Sequence, residues 1–188
     1  SKLLLVEDEA QRLTDDELFG MSIQLFFAGF ETTEGLIGNM VLALAQNPEE
    51  AAKLRINPAL IESTVEEALR YDSSILKQSR VASVDTTIGR EFIKKGDYIH
   101  LMIAAANRDP ERFSSPNAFE ITRNDQGHLS FGHGIHFCIG APLARLEAKI
   151  ALKHLLQRLS NFEILTPQIR YAEIFAIRKP LELVLKNI

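Results

Sequence analysis

The sequence predicts a mainly α-helical fold with small β elements. Three observations carry this. Helical periodicity runs through residues 14–46 and again through 141–159. A shorter helical pattern covers 58–71. Only short strand-like runs lie between them, within 80–103. The 188 residues are 46% hydrophobic and 24% charged, which suits one domain with a sizeable core. A net charge of −4 argues against nucleic-acid binding through bulk charge. One cysteine excludes an intramolecular disulfide and a multi-cysteine zinc cluster, and fits a reducing, cytoplasmic setting. No apolar run is long enough to span a membrane, no signal peptide is visible, and there is no internal repeat.

After a lead-in over 1–12, Thr14-Asp15-Asp16-Glu17 reads as a capping box, with Thr14 at N-cap and Glu17 at N3. The helix it opens should end at Asn47-Pro48. At about 1.5 Å per residue it is roughly 50 Å long. It is apolar on most of its surface, so burial at the centre of the domain is expected. Its middle, Ala28-Gly29-Phe30-Glu31-Thr32-Thr33, breaks the local rules for a helix. Glycine costs about 1 kcal/mol there relative to alanine. The Thr32 hydroxyl lies four residues after Ala28 and can bond its carbonyl, bending the helix. The segment suits a groove for a flat cofactor and a water; it equally suits a close helix–helix crossing at Ala28-Gly29.

Short helices are expected at 48–55 and 58–71. Glu67-x-x-Arg70 on the second is an i, i+3 pair, a weak signal by spacing alone. Strand-like stretches follow at 80–84, 86–92 and 98–103, with a turn at Lys95-Gly96-Asp97 and a short helix at 104–107. Residues 108–130 are turn-rich. The tail carries strand patterns at 162–165, 169–177 and 181–185.

The stretch Phe131-Gly132-His133-Gly134-Ile135-His136-Phe137-Cys138-Ile139-Gly140 holds the single cysteine between glycines, just before the helix at 141–159. Glycine tolerates strained dihedrals and lets backbone approach a flat ligand closely. A helix N-terminus presents unpaired N–H groups and the positive end of the dipole, which suits a thiolate aimed at a metal. Taken alone, the residues also allow an inert packing cysteine, a Cys-His nucleophile, or a His-x-x-His-x-Cys zinc site lacking a fourth ligand.

This loop resembles the haem-ligand loop of the cytochrome P-450 family, Phe-Gly-x-Gly-x-His-x-Cys-x-Gly, and fills every fixed position. Residues 28–33 resemble the family's distal motif, Ala/Gly-Gly-x-Asp/Glu-Thr-Thr, and Glu67-x-x-Arg70 matches its Glu-x-x-Arg pair, all in family order. The resemblance implies the C-terminal half of that fold: long distal helix, Glu-x-x-Arg helix, meander, Cys-ligand loop and proximal helix. It implies haem b (iron protoporphyrin IX) held by Cys138 as proximal iron ligand. Ala28 and Gly29 would flank the porphyrin, with Gly132 and Gly140 letting backbone pass close to it. Phe131 would shield the loop, and Arg80 and His136 would hold propionates. Thr32 and Glu31 would manage oxygen and protons. Glu67 and Arg70 would be a structural pair. Ile75, Leu76, Ile174 and Phe175 fall where substrate contacts are expected.

One departure concerns the third member of the Glu-Arg triad. Pro116-Asn117-Ala118-Phe119 has Ala118 in the basic slot, with Arg112 and Arg123 as substitutes. The activity implied is a haem-thiolate monooxygenase inserting one oxygen atom of dioxygen into a small organic substrate. Electrons would come from a ferredoxin- or flavodoxin-like donor, which could dock where some of Arg145, Lys149, Lys153 and Arg158 face the proximal side; the same residues equally suit an ordinary solvated face. Ala141-Pro142-Leu143-Ala144-Arg145 resembles the soluble bacterial or archaeal branch. Residues 1–188 match only the C-terminal, haem-binding portion; the N-terminal half that roofs the pocket is absent from this sequence, and a membrane anchor, where one exists, would lie in it. A large apolar surface on the long helix is therefore expected to meet a separate N-terminal half or a second copy. The alternative is a haem-binding or interaction module without turnover.

Overall fold

The structure, a computed structural model, describes residues 13–124, 127–159 and 161–188; the lead-in over 1–12 lies outside them. The long helix α1 spans Asp15–Gln46. Its capping box forms as expected. Thr14 Oγ1 accepts from the Glu17 N–H at 3.2 Å, and the Glu17 carboxylate accepts from the Thr14 N–H at 2.9 Å. Asp15, Asp16 and Glu17 set negative charge at the positive end of the helix dipole.

Central burial of α1 holds for its C-terminal half only. Leu36, Met40, Val41 and Leu44 are buried there. The N-terminal half bares Phe19, Phe26, Phe27 and Phe30, with Phe26 75% exposed. The sequence expectation is corrected for a simple reason. The described elements that pack on α1 gather against its C-terminal half, and its first four turns project past them.

Helix α2 spans Pro48–Ile56 and α3 spans Ile61–Tyr71. The 3₁₀ turn Pro58–Leu60 takes the start of the segment expected to be one helix over 58–71. Strand β1 (Gln78–Val81) pairs antiparallel with β4 (Tyr98–Leu101), setting Arg80 opposite Ile99. The run expected over 86–92 is a hairpin instead: β2 (Thr86–Ile88) pairs with β3 (Glu91–Ile93). Gly89, at φ +62°, turns the chain between them, a conformation glycine adopts without Cβ strain. Helix α4 (Ile103–Ala106) leads into the meander, irregular over 108–124 and 127–130, and α5 spans Ala141–Arg158. In the tail, β5 (Phe162–Ile164) pairs with β6 (Leu185–Asn187). The strand expected over 169–177 is reduced to the isolated bridges Ile75–Ile177 and Tyr171–Pro180.

The core lies where α1, α3 and α5 meet. Leu36, Met40 and Leu44 of α1 pack with Val65 and Leu69 of α3 and Leu152 of α5. Phe119 and Ile121 close it from the meander.

A buried ion cluster pins the meander to α3. Arg70 has a side chain 2% exposed, and all five of its N–H groups donate. Two reach the Glu67 carboxylate at 2.8 Å. The others reach the carbonyls of Asn107 at 2.9 Å, Pro116 at 2.8 Å and Ala118 at 2.8 Å. Arg123 brings a second guanidinium to Glu67, 3.2 Å from Oε2. Arg123 thus takes the third position, and Ala118 contributes only its carbonyl. Arg112 turns away onto the Phe113 ring at 5.5 Å. A charge left alone at this depth is expensive. Arg70→Ala is expected to destabilise the chain by about 3–5 kcal/mol in urea unfolding. An unchanged midpoint would remove the pin from the account.

Candidate cofactor site at the cysteine loop

Two glycines shape the loop. Gly132 and Gly134 each sit at φ +73°, where an L side chain is strained. Between them and the thiol, Gly134–His136 form a 3₁₀ turn, closed by Phe137 N–H donating to the Gly134 carbonyl at 3.0 Å. The Cys138 N–H donates to the Phe131 carbonyl at 2.9 Å, and the Cys138 carbonyl accepts from Ala141 N–H at 3.2 Å. Cys138 therefore sits at the mouth of α5, behind Gly140 at N-cap, with its free thiol exposed. A Cβ on Gly140 would stand 3.8 Å from Cys138 Sγ, so glycine keeps that flank of the sulfur open. The flanking side chains are apolar and bare: Ile135 is 97% exposed and Ile139 90%. Among the described residues no three His, Cys, Asp or Glu side chains gather as a metal cage.

The loop is braced through Phe131. The Arg145 guanidinium of α5 lies 4.6 Å from its ring centroid. The His128 ring lies 5.9 Å away on a tilt, and Phe137 meets it edge-on at 6.3 Å. Glu66 of α3 ties two of these together. Its carboxylate accepts from Arg145 at 2.6 and 2.9 Å and lies 3.1 Å from His128 Nε2. His128 Nδ1 accepts from the Ser130 N–H at 3.3 Å, so Nε2 is the protonated nitrogen that donates to Glu66. Burial pushes the Glu66 carboxyl up, but the hydrogen bonds from Arg145 and His128, with the Arg145 charge, outweigh it and hold the group at about 2, against an ordinary 4.5. Arg145 and Lys149, expected on a donor-docking face, are already paired, Lys149 with Glu62 at 2.7 Å. Lys153 and Arg158 remain exposed.

On α1 the Thr32 hydroxyl donates to the Ala28 carbonyl at 2.7 Å, the bond expected from the i, i−4 spacing. No atom lies within 4 Å of a Cβ built on Gly29, so this turn has open space beside it. Glu31 has a partner the sequence did not announce. Lys179 Nζ bonds its carboxylate at 2.6 Å and that of Glu34 at 2.9 Å. The two segments expected to touch substrate come together: the Leu76 N–H donates to the Ala176 carbonyl at 2.8 Å, and Ile75 bridges Ile177. Lys77 Nζ stands 3.6 Å over the Phe175 ring, while Phe175 is 75% exposed and Ile174 is exposed beside it in sequence. Arg80 is exposed on β1 and donates to the Ser79 carbonyl at 2.9 Å, and His136 is exposed in the 3₁₀ turn.

The family model described as cytochrome P450 matches residues 57–170. The chain belongs to the cytochrome P450 family. It is 47% identical over 176 residues to the biotin biosynthesis cytochrome P450 of Bacillus subtilis, covering 94% of this chain and 45% of that one. Among solved structures, it overlays the cytochrome P450 PksS of Bacillus subtilis with a TM-score of 0.94 at 41% identity, covering 99% of this chain and 49% of that one. It overlays P450BioI, solved with an acyl carrier protein ligated to hexadec-9Z-enoic acid, with a TM-score of 0.90 at 46% identity, covering 96% and 47%. The chain thus spans about half the length of the P450 relatives it matches.

P450 proteins bind haem b. The residues of this site fit such a group: a free exposed thiol, glycines that keep backbone and sulfur flank clear, and bare apolar side chains beside them. Among the described residues no helix is long and apolar enough to cross a membrane.

The Glu66 carboxyl, held below its unfolded value, contributes stability that is fully present above pH 4.5 and is lost as the pH falls toward 2. Glu66→Gln is therefore expected to unfold at lower urea than the parent chain above pH 4.5, with the gap closing toward pH 2. A pH-independent gap would count against the Arg145–His128 cause.

Proposed function

We propose that this chain is the haem-binding portion, residues 1–188, of a haem-thiolate monooxygenase that inserts one oxygen atom of dioxygen into a small organic substrate. The observation that carries the reading is the exposed Cys138 on a Gly132–Gly134 loop at the mouth of α5, within a chain of the P450 family.

When bound, haem supplies the iron at which electrons from a ferredoxin- or flavodoxin-like donor activate dioxygen. Cys138 would hold that iron through its thiolate. Its N–H is tied to the Phe131 carbonyl, which leaves the sulfur's position set by the backbone and not by a free loop. Ile135, Phe137 and Ile139 offer apolar surface to a porphyrin face, with Gly132 and Gly140 beside it. Arg80 and His136 are exposed groups suited to its carboxylates. Thr32 has committed its proton to Ala28, so it presents lone pairs; donating to dioxygen requires the hydroxyl to turn from that carbonyl. Glu31 is the neighbouring acid for proton delivery and starts from an ion pair with Lys179. The contact between 75–77 and 174–177 offers an apolar floor to substrate through Ile75, Leu76, Ile174 and Phe175. Lys153 and Arg158 suit an acidic donor. The setting is cytoplasmic.

A second reading is a haem-binding or interaction module without turnover. It is favoured by the bare N-terminal half of α1, where Phe19, Phe26, Phe27 and Phe30 present apolar surface to an N-terminal half or a second copy.

The test is the absorbance of the reduced chain, reconstituted with haem, under carbon monoxide. A thiolate-type red-shifted Soret band is expected, and Cys138→Ser should abolish it. Haem uptake without that band sinks the thiolate assignment. Thr32→Ala should then lower product formed per oxygen consumed by about tenfold in the assembled enzyme. Unchanged coupling would remove Thr32 from the oxygen side and favour the module without turnover.

A further inference from the structure

We propose that Arg145, fixed by Glu66 and His128 and laid across Phe131, is the positioning residue of the Cys138 loop. Its haem consequence rests on the function proposed above; the holding of the loop does not.

The loop has little else to hold it. Residues 133–139 are all exposed, and two of its glycines occupy dihedrals that give the chain no stiffness of its own. Phe131 is the loop's half-buried anchor, and its carbonyl is the acceptor for the Cys138 N–H. What keeps Phe131 still therefore keeps the cysteine backbone still. Arg145 touches its ring at 4.6 Å, and His128 lies 5.9 Å from it. Neither is free to drift. Glu66 accepts from Arg145 in bidentate fashion and from His128 through Nε2. A bidentate carboxylate–guanidinium pair fixes the plane of the guanidinium as well as its position, which lysine cannot do. A flat cation held in plane over a ring also gains cation–π attraction. Glu66 belongs to α3, next to Glu67 of the buried ion cluster. The brace thus runs from the rigid core to the thiol: α3, Glu66, Arg145, Phe131, Cys138.

Hydrogen exchange of the purified chain, read by mass spectrometry, tests this without haem. In Arg145→Ala, exchange across 129–140 is expected to rise about tenfold, while 36–44 of the core stay protected. Lys149→Ala cuts the neighbouring link between α5 and α3 without touching Phe131, and should leave 129–140 unchanged. Equal exchange in the two variants overturns the proposal. Should Arg145→Ala lose core protection, Glu66→Gln decides: it keeps the side-chain volume, and a rise confined to 129–140 supports the brace while no rise overturns it. Arg145→Lys keeps the charge but not the plane, so it should recover only part of the protection; full recovery overturns the stacking. Haem reconstitution gives the second readout. The thiolate-type band of the carbon monoxide complex should be diminished in Arg145→Ala and kept in Lys149→Ala. A wild-type chain that takes up no haem, with the exchange pattern as expected, fails the haem reading and leaves the brace standing. Normal thiolate spectra with unchanged exchange fail the brace and leave the haem reading standing.

Discussion

A carboxylate enclosed by two guanidiniums holds the two parts of this molecule together. Glu67 and Arg70 lie on α3, in the core; Arg123 and the carbonyls of Asn107, Pro116 and Ala118 belong to the meander. The described part of the meander has no ladder of its own to satisfy its backbone, so buried donors must do it. Arg70 spends all its donors on this, and Glu67 accepts from the Glu120 N–H at 2.9 Å as well. Such a cluster is a poor source of net stability, but losing one partner leaves an uncompensated buried charge, which ties the meander to this path. The cysteine loop follows directly on the meander, so its position inherits that constraint.

The apolar surface divides along α1. Its C-terminal half is core; its N-terminal half carries four bare phenylalanines together with the Thr32 turn. Phe26 and Phe30 stack on each other at 6.5 Å, which covers little of either. Apolar side chains of this size left to water mark a surface built for contact. That surface and the apolar rim of the cysteine loop both leave large apolar side chains bare among the described residues.

Local features were legible in the sequence. The capping box, the Thr32–Ala28 bond and the turn at Gly96 depend on residues within four positions of one another, and spacing alone determines them. So did the pattern of glycines around Cys138, because a positive φ excludes most other residues. The burial of α1 was not legible. Its periodicity says which residues are apolar, and the described chain covers only half of them. The hairpin at 86–93 was not legible either: strand formers stand on both sides of Gly89, and a lone glycine in such a run does not announce a reversal.

The sequence by itself determined the helices, the glycine loop, the cysteine and the order in which they follow. Tertiary structure decided the partners. Arg123 rather than Arg112 meets Glu67, 56 positions away; Arg145 meets Glu66 across 79 positions; Lys179 meets Glu31 across 148. Charge and reach are the same for every arginine and lysine in the chain, so nothing local distinguishes the right one. The meander laid on α3 brings Arg123 to Glu67, the packing of α5 on α3 brings Arg145 to Glu66, and the tail on α1 brings Lys179 to Glu31.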